Sequence, residues 1–125
     1  MNVSSDGTGQ QAPLVAGRLA EGVAVIEVTC ELDMQTVPAF EQMLAQEARA
    51  GHRVLVVDLS GCEFMGSSGL AALVEAHDRG RRSGTPMALA GLTRSLRRGI
   101  EITGLDSLFA IYGTVEEAAA AHPVG

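Results

Sequence analysis

The segment best suited to chemistry is Gly66-Ser67-Ser68-Gly69-Leu70, where two adjacent hydroxyls stand just ahead of an apolar helical pattern. Such serines have two uses. Either one can accept a free backbone N–H as a helix N-cap, worth about 1 kcal/mol. Alternatively, an exposed hydroxyl there can take a phosphoryl group, because the unpaired N–H groups and the helix dipole tolerate the added anion. A small serine hydrolase is a third reading that the motif serves poorly, since Leu70 occupies the second glycine position of G-x-S-x-G and no Asp/His pair offers a relay. All nine basic residues are arginine, which removes Schiff-base and phosphate-loop lysine chemistry. Cys30 and Cys62 have no zinc-like or CxxC spacing and read as small buried hydrophobes. His52, His77 and His122 are scattered, and His77 lies on an apolar stripe, as a core histidine would. No catalytic residue, metal ligand set or cofactor motif emerges. Asp33, shortly before Thr36-Val37-Pro38, reads as a turn or capping residue.

The elements that must position these residues follow from periodicity. Leu14 to Arg18 and Val23 to Thr29 are β-rich and flank Ala20-Glu21-Gly22, which predicts a hairpin. Thr36 as cap, Pro38 in the first turn, and Phe40, Met43, Leu44 and Ala48 at helical spacing predict a helix that stops at Gly51. The unbroken run Val54-Leu55-Val56-Val57 predicts a central strand covered on both faces. Leu70, Leu73, Val74 and His77 recur as one helical face, so a second helix is expected from about Ser68 to Ser83, ended by Gly84. Met87 to Ala90 predicts a strand, the stripe Leu92, Leu96 and Ile100 a third helix ending near Gly104, and Leu108 to Tyr112 a last strand. Thr114-Val115-Glu116-Glu117 is a capping box before a fourth, alanine-rich helix that stops by Pro123. The fold class is therefore α/β: a mixed, mostly parallel sheet of about five strands with about four helices and an antiparallel edge.

With 125 residues, 46% hydrophobic and 19% charged, the chain suits one globular domain. Residues 1–12 lack large apolar groups and are expected to form a disordered tail, leaving 13–122 as the domain. No apolar run is long enough to span a membrane and the N-terminus lacks a signal pattern, so a cytoplasmic protein is expected. The net charge of −6 disfavours nucleic-acid or membrane-surface binding. The positive charge is local: Arg79, Arg81, Arg82, Arg94, Arg97 and Arg98 fall within one acid-free stretch. The first three would complement the dipole of the second helix in its last turn, or meet a partner.

Three segments, in order, resemble the STAS-domain anti-sigma factor antagonists of bacterial sporulation and stress responses. Cys30-Glu31-Leu32-Asp33-Met34-Gln35-Thr36-Val37-Pro38 resembles the family's G-E-L-D-x-x-T-A-P, Phe64 to Leu70 its F-[ML]-D-S-[ST]-G-L signature, and Ile102-Thr103-Gly104-Leu105 its I-T-G-L. Cys30 stands where the family usually has Gly, and Gly66 where it usually has Asp. The resemblance implies a single STAS domain and a non-enzymatic switch needing no cofactor of its own. Unphosphorylated, such a protein binds an anti-sigma factor that is also a serine kinase and so frees a sigma factor. Phosphorylation, here expected on Ser67 with Ser68 as the alternative, switches it off, and a serine phosphatase would reset it. The kinase would have the histidine-kinase-like ATPase fold and use ATP and magnesium. Asp33, Gly66, Ser67, Ser68, Gly69 and Leu70 are the expected partner-binding residues. The alternative is a STAS scaffold that is never phosphorylated, for which Gly66 is the main argument.

Overall fold

The computed structural model describes residues 13–49 and 51–123. The expected tail, residues 1–12, lies outside the described residues. The elements are β1 (Leu14–Ala20), β2 (Val23–Val28), α1 (Val37–Arg49), β3 (Val54–Asp58), α2 (Ser67–Ser83), β4 (Met87–Ala90), α3 (Arg94–Ile102), β5 (Ala110–Tyr112) and α4 (Val115–Ala120). The strands lie side by side in chain order, β1-β2-β3-β4-β5. β1 pairs antiparallel with β2 through the expected hairpin, and every later neighbour is parallel.

Because the three parallel crossovers all step the same way across the sheet, right-handed connections carry α1, α2 and α3 to one face. Alternation along the strands then divides the core in two. Ile26, Val28, Leu55, Val57 and Leu89 face Phe40, Leu44, Leu73, Leu96 and Ile100 of those helices. Val23, Val54, Val56, Ala88 and Ala90 point the other way, toward Ala118 of α4. β3 is buried on both faces, as its uninterrupted aliphatic run requires. β1, by contrast, is an edge strand, exposed along almost its whole length.

Several local expectations fail. Thr36 precedes α1, but its hydroxyl turns backward: it donates to Glu31 O (2.6 Å) and accepts from Asp33 N–H (3.0 Å), so it does not cap the helix ahead. The last strand starts at Ala110, not Leu108, because Leu105–Ser107 winds into a 3-10 turn whose Leu105 carbonyl accepts the N–H groups of Leu108 and Phe109. Cys62 is buried but Cys30 is only half-buried. Of the three arginines expected in the last turn of α2, only Arg81 and Arg82 are there, and Arg79 falls before it. Gly84 ends α2 as expected, in the left-handed region at φ 85°. The half-buried His77 packs edge-on against Phe109, with ring centroids 5.9 Å apart.

Candidate functional site

The carboxyl ends of β2 and β3 bring two distant segments together. Beyond the strands, Leu32 N–H donates to Phe64 O (3.0 Å) and Gly66 N–H to Leu32 O (2.9 Å), closing a parallel bridge between Leu32 and Met65. Asp33 and Ser67 therefore leave one anchored point on neighbouring paths. The anchor is tight: a Cβ on Gly69 would lie 2.6 Å from Met65 Cγ and 3.0 Å from Leu32 Cβ. Only glycine lets the first turn of α2 sit so close to the buried Leu32.

Neither serine is the N-cap of α2, contrary to one of the two sequence readings. Gly66 holds that position, in extended backbone at φ −79° and ψ 179°, and no side chain caps the helix. Ser67 and Ser68 are the first two helical residues instead. The carbonyl of Gly66 takes the N–H groups of Gly69 (3.0 Å) and Leu70 (3.1 Å), which leaves those of Ser67 and Ser68 without an acceptor among the described residues. Their hydroxyls bond to none of the described residues either, and they differ in access: Ser67 is exposed, Ser68 half-buried. An anion on Ser67 would meet two open donors and the positive end of a 17-residue helix.

Asp33 is held by its own loop. Its Oδ1 accepts from the N–H groups of Gln35 (2.9 Å) and Thr36 (3.1 Å), a turn-forming arrangement that fits one of its two sequence readings. Gly69 is buried and supports the site from beneath, and the half-buried Leu70 lines a cleft of about 250 Å³ between α2 and α3. Phe64, Met65, Leu96 and Ile100 form the apolar walls of that cleft.

Three surface residues escaped the sequence reading: Met34 is 82% exposed, Ile102 79% and Phe64 53%. Ile102 carried a signal, because it is out of phase with the buried stripe of Leu96 and Ile100 on α3. The arginine-rich stretch is split by β4 between the end of α2 and the body of α3. Among the described residues no group of three or more His, Cys, Asp or Glu could hold a metal ion, and no helix is long and apolar enough to cross a membrane.

Residues 18–118 match the STAS domain family. The anti-sigma-F factor antagonist RsfB of Mycobacterium tuberculosis is 32% identical over 97 residues, covering 78% of this chain and 79% of RsfB. A crystal structure of an anti-sigma factor antagonist from Mycobacterium paratuberculosis superposes with a TM-score of 0.75 at 34% identity, over 87% of this chain and 92% of the other. The Bacillus protein SpoIIAA shares the fold in its unphosphorylated form (TM-score 0.71) and its phosphorylated form (0.66), at 18% identity over 84% of this chain and 91% and 95% of the others. The chain belongs to the STAS domain family, among the anti-sigma factor antagonists, which are regulatory binding proteins rather than enzymes.

Proposed function

We propose that this protein is a phosphorylation-controlled partner switch. Its unphosphorylated form binds an anti-sigma factor with serine kinase activity and thereby releases a sigma factor in the cytoplasm. Phosphate on Ser67 ends the interaction, and a serine phosphatase restores it. The observation that carries this reading is the exposed Ser67 hydroxyl in an uncapped first turn with two open N–H donors. Ser68, half-buried beside it, is the poorer acceptor. The two solved phosphorylation states of the related SpoIIAA support the same reading.

The docking surface comprises Asp33, Gly66, Ser67, Ser68 and Leu70, with Gly69 beneath them. A phosphate adds about −1.5 to −2 charges, which the helix start accommodates, so the domain stays folded and the penalty falls on the interface. A desolvated dianion in place of a hydroxyl costs about 3 kcal/mol or more, a rise of roughly a hundredfold or greater in Kd. Ser67→Ala should abolish the mass gained with kinase and ATP while keeping partner binding. Ser67→Asp should bind weakly and melt near the parent. Calorimetry with the cognate anti-sigma factor checks both, and equal affinity for the parent and phosphorylated forms would overturn the switch. That result would favour a STAS scaffold that is never phosphorylated, the reading that Gly66 in place of the family's acid supports.

A further inference from the structure

The geometry points to an oxidative crosslink between Cys30 and Cys62 directly beneath the Asp33 and Ser67 segments. Parallel pairing of β2 with β3 runs to Glu27↔Asp58 and resumes at Leu32↔Met65. Between these points the longer β3 side makes a turn at Ser60-Gly61, whose Ser60 N–H donates to Asp58 Oδ1 (3.0 Å). Gly61 then packs on Thr29 so closely that a Cβ there would lie 3.0 Å from Thr29 Cα and 3.1 Å from Val28 O. Cys30 and Cys62 are the next residues on the two paths. Both are free, and both belong to the core on the side of the sheet that α1–α3 cover. The contact of Gly61 with Thr29 thus sets the separation of the two paths one residue before the cysteines, and a disulfide spans roughly 4.4 to 6.8 Å between Cα atoms.

Electrostatics agree with this proximity. Burial pushes the Cys62 thiol above its ordinary value; hydrogen bonds with the backbone of Phe64 and Leu32 oppose that rise, while the charge of Cys30 adds to it. The Cys30 thiol is raised too, by partial burial and by Asp33.

Cys30 is half-buried and Cys62 buried, so Cys30 meets a small oxidant first. The Cys30 thiolate attacks one oxygen of a peroxide and becomes a sulfenic acid, releasing water once protons are balanced. The Cys62 thiolate then attacks the Cys30 sulfur, forming the S–S bond and expelling hydroxide, which leaves as a second water. The product ties the segment leading to Asp33 to the segment leading to Ser67. Its effect on signalling rests on the function proposed above, whereas the bond itself is read out with no partner present.

The test exposes the reduced full-length chain to hydrogen peroxide. Intact mass should fall by about 2 Da with no covalent link between chains, and a peptide map should join the Cys30 and Cys62 fragments. The melting temperature should rise by roughly 5 °C or more, because the bond closes a long loop in the unfolded chain. The rate should climb as pH passes 9.0, the ordinary thiol value, since both thiols are raised above it. Cys30→Ser should abolish the mass loss, and Cys62→Ala, a small buried replacement, should leave a Cys30 that stops at oxidised, uncrosslinked forms. A gain of about 16 Da on Cys30 in the parent with no crosslink, or a disulfide between two chains, would overturn the inference.

Discussion

Among α2, α3 and α4, the helix that carries the candidate site starts differently from the other two. At α3, Thr93 Oγ1 accepts from Leu96 N–H (3.1 Å); at α4, Thr114 Oγ1 accepts from Glu117 N–H (3.1 Å) while Glu117 reaches back to Gly113 N–H (3.0 Å). At α2, the longest of the three, a glycine holds the same position and no side chain caps it. A cap consumes a donor and stabilises the helix by about 1 kcal/mol. Leaving it out costs that stability locally but keeps donors open beside the exposed Ser67. The first turn of α2 is fastened by other means, through Gly69 against Leu32 and the Leu32↔Met65 bridge. Two helices are secured from within their own sequence, and the third from across the sheet.

Breaking that distant fastening should have the largest effect. Gly69→Ala forces a methyl into space already held by Met65 and Leu32, and overpacking of this kind costs about 1–3 kcal/mol. Urea unfolding should show the loss, and hydrogen exchange should rise first at Leu32 and Gly66, whose N–H groups form the bridge. Unchanged stability would mean that α2 is held in some other way.

Removing the local caps should come next in size. Thr93→Ala and Thr114→Ala should each cost about 1 kcal/mol in the same assay, with exchange rising at Leu96 and Glu117 respectively. The smallest effect, opposite in sign, belongs to Gly66→Asp. Gly66 does not occupy the left-handed region, and the nearest atom to a Cβ there is Phe64 Cε2 at 3.7 Å, so the substitution introduces no strain. An aspartate in this position caps the first turn and complements the dipole, for a gain of about 0.5 kcal/mol. Higher stability with a changed rate of Ser67 phosphorylation would sharpen the contrast between the helix starts. Lower stability would break it.

Most of the fold was legible because its determinants are short-range. The alternation of strand and helix, the central position of β3, the Thr114 capping box and the Gly84 stop each follow from residues within one or two turns of each other. Local signals also misled where two of them competed. Ser67, Ser68 and Gly66 are all acceptable at a helix start, and the Gly66 N–H bond to Leu32 fixes which one precedes the helix. Thr36 looked like a cap but found partners behind it, in Glu31 and Asp33.

The sequence by itself determined the order and type of the elements and the motifs by which this chain resembles its family, since periodicity and turn chemistry act between near neighbours. Only the tertiary structure decided which serine is exposed and why Gly69 must be glycine. Those relations depend on the parallel register of β2 and β3, a contact between segments about thirty residues apart that no local preference encodes.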